Sequence, residues 1–486
     1  MHVLCLDLGT STLKAALIDT TGRTRAAAQA AIDTRHGGPD TPLTGAIEQS
    51  SSQWWQAVAE AVGAMRAGGH LGGGGHLGGG GHLGGGGQLP AAIALTGQMQ
   101  DLVPLTGSPA GEQELPVILY SDTRAAAELD ELRAADPGWE ARLLTTPGPD
   151  CLPAKIAWLT RHQPGAQIEA LALSAAGFLG FALTGRLTCD RLSASTTSLY
   201  DATADAWMLP SPLASTPAAA WQLPELVDPG IIGTLTPAAA CHLGFGAAAA
   251  GIPVVTGLGD AGAASDGIIG STPGAAYAYL GTSGWVAHID PHSPRPLAGA
   301  ASEVHRLAHP AGTLEIAAMV NAGSTLAWGR RVLLGMTAGD EHTPAAHAAA
   351  EAALDQALAA GRWQDLTCDP ALAGERTPAL GSAASTGSLT GIRPATTAAD
   401  LYAGLVAGIA ANLGRLCDAL GTDPSAALPV TGGLTASPGI CRILGIVFDR
   451  PIVPVAEADA GLRSCARAAW EALGIEHTIT PLGATA

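Results

Sequence analysis

The stretch VLCLDLGTSTLKAALI, residues 3–18, decides how the chain is built. It opens on four apolar residues and closes on four more, with Gly9 between them, where a backbone can turn tightly. Residues 3–6 and 15–18 therefore read as two strands joined by a hairpin. The turn recurs: Leu280-Gly281-Thr282-Ser283 repeats Leu8-Gly9-Thr10-Ser11, again after an apolar run and again before one. A match in the same strand–turn–strand setting points to duplication, hence to two related halves whose hairpins face each other across a cleft. The boundary is expected near residue 245, in Gly/Ala-rich sequence, giving units 1–245 and 246–486.

The remainder alternates in kind. Trp54, Trp55, Val58, Ala61, Val62 and Met65 fall at helical spacing, and residues 91–95 form a short apolar strand. Helices are expected over 122–133, from 262 onward and over 399–420, with strands at 253–255 and 276–280. Such mixing indicates an α/β fold. Between helix and strand, residues 68–87 repeat His-Leu-Gly-Gly-Gly-Gly and bring His70, His76 and His82 six residues apart. A metal-binding tract and a flexible surface loop both account for this. The loop is the better reading, because Gly-rich backbone has too much entropy to hold a site.

Composition excludes several classes. With 47% hydrophobic residues the 486-residue chain can bury large cores, so it is not disordered as a whole. Forty-two acids against 24 bases, a net −18, disfavour nucleic acid and anionic membranes as partners. No long run rich in Leu, Ile and Phe occurs, and no basic region opens the chain, so neither a transmembrane helix nor a signal peptide is expected. Eight scattered cysteines without a CxxC pair suit buried thiols in a reducing cytoplasm. Lysine occurs only at Lys14 and Lys155.

Chemistry concentrates at the glycine turns. Thr10, Ser11 and Thr12 add hydroxyls to the exposed N–H groups after Gly9, and Lys14 adds a mobile charge, a set suited to phosphate oxygens. Asp7 beside them would repel a phosphate unless a hydrated Mg²⁺ lay between. An ordinary hairpin with capping hydroxyls explains the same residues. Gly281, Thr282 and Ser283 repeat the donors from the opposite half. Asp260, between glycines at a strand-to-helix junction, is either a helix cap or a general base. Gly432 and Gly433 leave room for a ring or ribose, or simply turn a strand into a helix.

In combination these elements resemble the FGGY family of carbohydrate kinases, within the actin/hexokinase/heat-shock-70 superfamily. The resemblance runs nearly end to end, outside the His-Leu-Gly repeat. DLGTSTLKAALID (7–19), TGQMQDLVPL (96–105), SDTRAAAELDEL (121–132) and CDRLSASTTSLYDATADAW (189–207) look like the xylulokinase branch. So do GLGDAGAASDGIIG (257–270), YLGTSGWV (279–286), GERTP (374–378) and TGGLTASPGICRILGIVFDRPIV (431–453).

The resemblance implies two actin-like, ribonuclease H-like α/β domains around a central cleft. It implies ATP and Mg²⁺, with Asp7 near the metal and Thr10, Ser11, Thr12 and Lys14 on phosphates. Gly281 and Thr282 form the second phosphate loop, Gly323 approaches the nucleotide, and Gly432, Gly433 and Ser437 make the adenosine turn. Gln98, Met99 and Gln100 take the sugar-contacting position, and Asp260 that of the catalytic aspartate, with Asp122 the next carboxylate to consider. D-xylulose, converted to its 5-phosphate, is the leading substrate. Gluconate, another ketose, a sugar alcohol, or a non-catalytic nucleotide-binding regulator are the alternatives. A cytoplasmic enzyme is expected, with a homodimer as the candidate assembly. Three departures gather at the sugar side: Gln100 replaces the family's His, Ala261 an Asn, and ALGSAAS follows GERTP.

Overall fold

The computed structural model describes residues 1–37, 45–72, 88–106, 114–296, 304–375, 377–456 and 459–484. Most of the His-Leu-Gly repeat, with His76 and His82, lies outside them; His70 lies within, exposed.

The opening residues form β1 (His2–Leu8), β2 (Thr12–Asp19) and β3 (Thr24–Ala31), an antiparallel meander. Helix α1 (Ser51–Ala67) comes next, its start capped by the Ser50 hydroxyl accepting from the Gln53 N–H. After it stand β4 (Ile93–Gly97), β5 (Met99–Leu105), β6 (Ala170–Ser174) and α2 (Ala175–Thr184). Strands β7 (Gly230–Thr234) and β8 (Pro253–Thr256) lead to α3 (Asp260–Ile269). The first sheet has the order β7-β8-β4-β1-β2-β3, with β1, β4 and β8 parallel.

Alternation along β1 explains its unbroken apolar run. Leu4, Leu6 and Leu8 pack on one face with Trp54 of α1 and Phe178 of α2. Val3 and Cys5 point to the other, where the C-terminal residues Leu462, Cys465 and Trp470 cover them. A strand buried on both faces cannot carry polar residues until its end, which is where Asp7 stands.

The second sheet uses β9 (Ala276–Leu280), β10 (Gly284–Asp290), β11 (Val304–His309) and β12 (Gly312–Met319). Beyond it in the chain are helices α4 (Gly323–Val332), α5 (Pro344–Ala360) and α6 (Ala398–Ala419). Then come β13 (Leu428–Thr431), α7 (Pro438–Phe448), β14 (Ile452–Pro454) and α8 (Ala460–Ala472). The strand order of this sheet is β11-β12-β10-β9-β13-β14. The run β3-β2-β1-β4-β8 in one sheet thus has its counterpart in β12-β10-β9-β13-β14, antiparallel through the first three strands and parallel beyond. The echoed hairpins occupy the same place in each, so the duplication read from the sequence is structural.

The expected cut at 245 does not follow the sheets. Strand β8, beyond it, pairs with β4 of the first sheet, and α8, near the C-terminus, covers that sheet's second face. Hydrophobic burial is the reason: without α8, Val3, Cys5, Ala16 and Val255 would face water. Among the described residues no helix is long and apolar enough to cross a membrane.

Candidate functional site

The first hairpin closes with the Gly9 N–H donating to the Thr12 carbonyl at 3.1 Å, and cross-strand register sets Asp7 opposite Lys14. Its tip is braced from below. The Thr10 hydroxyl donates to Gln98 Oε1 at 2.9 Å, Gln98 Nε2 to Gln49 Oε1 at 3.2 Å, and Gln49 Nε2 to the Thr10 carbonyl. Gln98 is 1% exposed. Its amide is spent holding the hairpin, which is not the open sugar-contacting position expected of it. Ser11 and Lys14 remain exposed at the tip and flank, with Thr12 partly covered.

Asp7, Lys14, Thr96 and Asp260 line one cavity of about 440 Å³, together with Asp459 before α8. Burial raises the Asp7 carboxyl above its ordinary range, against the Lys14 charge and with that of Asp459. Burial also pushes Asp260 up to about 7, held back by the Ala261 N–H and raised further by Asp7 and Asp190. Three carboxylates against one lysine leave negative charge that a dication would offset. Among the described residues no three His, Cys, Asp or Glu groups form a closed metal cage. That donor set fits Mg²⁺, which keeps most of its waters and takes one or two carboxylates plus substrate phosphates.

Asp260 is the first residue of α3, after the cap position taken by Gly259. The cap reading of Asp260 is thereby weakened: its carboxylate accepts only the neighbouring Ala261 N–H, at 2.7 Å. Gly259 is required by space. A Cβ there would come within 2.3 Å of Met99 Sδ and 2.4 Å of Ser193 Oγ. Met99, expected beside the sugar, is thus packed against the turn that carries Asp260. The alternative carboxylate, Asp122, is fully buried, accepts the Ile47 N–H and pairs with Arg124, so it is not available as a base.

The segment expected at the sugar is shaped by a bulge. Pairing of β5 with β6 slips between Met99 and Val103, and Gln100 has φ 61°, unusual for a side-chain-bearing residue. The bulge aims the Gln100 amide at Asp150, whose carbonyl and Oδ2 it reaches at 3.2 and 3.1 Å. Sequence reasoning missed two buried groups beside it. Asp101 is fully buried, with one oxygen on the Tyr120 N–H and the other without a partner. Burial pushes its carboxyl up to about 8. Lys155, also fully buried, donates to the Leu119 carbonyl at 2.7 Å, and burial brings it down to about 8 against Asp122, Asp150 and Asp101. Being one of two lysines in the chain was its only signal.

The second hairpin and the third glycine turn meet. Gly281 N–H donates to the Ser283 carbonyl, and Gly323 and Ser324 N–H groups, opening α4, donate to the carbonyls of Gly281 and Thr282 at 2.9 and 3.0 Å. A Cβ on Gly323 would come within 2.5 Å of the Gly281 carbonyl, so that glycine serves close packing of helix on hairpin. Gly432 has φ 97°, and a Cβ on it would meet the Leu280 carbonyl at 2.4 Å. Beyond it, Gly433 and Ser437 line a cavity of about 310 Å³ with Arg330, Glu351 and Tyr402. Ser437 also caps α7, and its hydroxyl donates to Glu351. The residues expected at sugar, phosphate and ring thus all sit on strand ends and glycine turns, an arrangement able to hold a polyphosphate beside a carboxylate of raised proton affinity.

Comparison with known proteins agrees in extent. Residues 2–267 match the FGGY family of carbohydrate kinases, N-terminal domain, and residues 276–469 the C-terminal domain. The xylulose kinase of Streptomyces coelicolor is 30% identical over 485 residues, 96% of this chain and 87% of that protein. In fold, the chain is similar to xylulose kinase from Rhodospirillum rubrum, with a TM-score of 0.77 at 23% identity, covering 98% of this chain and 90% of that one. It is also similar to gluconate kinase from Lactobacillus acidophilus, with a TM-score of 0.74 at 22% identity, covering 97% and 89%. At those identities the structural likeness speaks for fold alone.

Proposed function

The chain belongs to the FGGY family of carbohydrate kinases, and from that premise we propose that it phosphorylates D-xylulose at O5, with Asp260 as general base. The observation that carries this reading is the single cavity shared by Asp7, Lys14 and Asp260. In it a carboxylate of raised proton affinity lies with the Lys14 charge, which is suited to phosphate. The 30%-identical xylulose kinase relative supports the choice of sugar.

In the proposed reaction the sugar hydroxyl oxygen bonds to the γ-phosphorus as the bond from that phosphorus to its bridging oxygen breaks. The hydroxyl proton passes to Asp260, and ADP leaves. A proton affinity near neutrality suits this task, since the base must be deprotonated at working pH yet basic enough to accept. Gly281, Thr282 and the Thr10–Thr12 tip would hold phosphates from two sides, with Gly432, Gly433 and Ser437 around the adenosine. Asp7 would hold a hydrated Mg²⁺, whose chemistry when bound is to offset charge on the phosphoryl oxygens. Met99 and Gln100 would face the sugar and Gln98 would support the hairpin.

The units we propose to move against each other follow the sheets: β1–β8 with α8 in one, β9–β14 in the other. We take the enzyme to work in the cytoplasm, which its eight free thiols support, as a homodimer. The deciding experiment is ADP release with D-xylulose, other ketoses, sugar alcohols and gluconate, with and without Mg²⁺. D-xylulose giving the highest kcat/KM is expected. A higher value for gluconate would replace the substrate, and ATP binding without ADP release on any sugar would favour the non-catalytic regulator.

A further inference from the structure

Of the GERTP motif, residues 374–378, the described residues 374–375 and 377–378 line neither the cavity at Asp260 nor the one at Ser437. The structure gives part of it a specific task. Glu375 is 2% exposed, and none of the ion pairs among the described residues includes it. Its two carboxylate oxygens accept from different donors just past β12. Oε2 takes the Val320 N–H at 2.9 Å and Oε1 takes Asn321 Nδ2 at 2.8 Å.

Asn321, itself 1% exposed, closes the clasp in return. Its Nδ2 also donates to the Gly374 carbonyl, and its Oδ1 accepts the Ala373 N–H at 3.1 Å. Segment 320–321 is therefore held on both backbone and side chain, although it lies between elements where a chain is ordinarily loose.

Two residues past Asn321, helix α4 begins, and its first N–H groups grip the second hairpin at Gly281 and Thr282. On the other side, Met319 pairs in the sheet with Gly284 at the hairpin's far end. The clasp thus sits at the root of the support on which the hairpin rests. None of its hydrogen bonds reaches Met99 or Gln100.

We propose that Glu375 is a positioning residue for the nucleotide: through Val320 and Asn321 it fixes the start of α4, and through α4 the placement of the phosphate hairpin at Gly281 and Thr282. The inference rests on the reading of that hairpin as phosphate-binding. A carboxylate is needed because both partners are donors. In Glu375→Gln one oxygen becomes an NH₂ facing a donor, so one contact is lost while the volume is kept.

The test is steady-state kinetics of the full chain in both substrates, beside thermal melts with and without ADP. E375Q is expected to raise KM for ATP about tenfold, the scale of one hydrogen bond to a charged group, with KM for sugar changed less than about twofold. The rise in melting temperature given by ADP should shrink. Thr377→Val is the control, because the Thr377 hydroxyl holds the same loop to the Ala318 carbonyl at 2.6 Å without engaging 320–321. It should lower the melting temperature and leave the two KM values in their original ratio.

Thr282→Ala separates the role of the hairpin from that of the clasp. An unchanged ATP KM in T282A would remove the phosphate reading of the hairpin. A raised ATP KM in T282A, with E375Q changing only the melting temperature or both KM values alike, would overturn the positioning role. Should E375Q not accumulate as folded protein, Asn321→Ala interrogates the same clasp from its other partner, with the same two outcomes.

Discussion

The hydroxyl of Thr96 donates to the carbonyl oxygen of Leu258 at 2.7 Å, with Thr96 wholly buried. The bond ties the strand that leads to Met99 and Gln100 to the turn that carries Asp260. Thr96→Val keeps the shape and leaves the Leu258 carbonyl unsatisfied, a loss of about 1–3 kcal/mol. The expected outcome is a lowered melting temperature together with a kcat reduced more than either KM. Unchanged kcat in a destabilised protein would make Thr96 a purely structural tie.

On the proposed role of Asp260, its protonation should set the pH dependence. With its carboxyl at about 7 in the unliganded protein, kcat/KM for the sugar should fall about tenfold per pH unit below that value. Stability should move the other way. The folded state binds this proton more tightly than the unfolded chain, so the stabilisation is complete below pH 4, the ordinary carboxylate range, and is lost as pH rises through about 7. Rate profiles and melts across pH 5–9 check both signs.

Gln100 should govern the sugar rather than ATP. Its amide is directed at Asp150 by the bulge. Histidine tolerates the left-handed backbone that this position demands, so Gln100→His should fold. Relative kcat/KM among ketoses, polyols and gluconate should shift by the equivalent of about 1–3 kcal/mol, with KM for ATP steady. A changed ATP KM beside an unchanged sugar profile would remove Gln100 from the sugar site.

The His-Leu-Gly repeat should be dispensable. The Gly72 N–H and Gln88 carbonyl, on either side of residues 73–87, lie 3.3 Å apart. Excising 73–87 therefore joins ends that already meet, and loop length itself carries little free energy, about 0.6 kcal/mol per doubling. Turnover within a few-fold of the parent is expected. Failure to fold, or zinc-dependent activity in the parent alone, would restore the metal-tract reading.

The legible parts of this protein were those written locally. Glycine between apolar runs marked both hairpins, although neither Gly9 nor Gly281 has a positive φ; at Gly281 the reason is space, since a Cβ there would come within 2.6 Å of the Tyr279 hydroxyl. Asp260 stood out in the same local way, alone between glycines at a strand end. What escaped was long-range. Gln98 carries a polar amide in a motif that suggests ligand contact, yet hydrogen bonds to Thr10 and Gln49, 88 and 49 residues away, take it up. Helix α8 returns to cover the first sheet because Val3 and Cys5 need burial, and nothing near residue 245 announces that. Nothing local marks Asp101 or Lys155 as buried; packing alone makes them so.

In the proposed reaction one carboxylate, that of Asp260, makes this scaffold a kinase. Asp260→Asn keeps the volume and removes the proton acceptor, so kcat should fall at least about 100-fold while ADP still raises the melting temperature. Above pH 7 the variant should melt no lower than the parent, since it no longer holds a buried charge. The measurement is kcat for D-xylulose beside the ADP-dependent melt of the same preparation. A hundredfold loss with the melt preserved is the expected result; near-parental turnover in a protein that melts like the parent would contradict it.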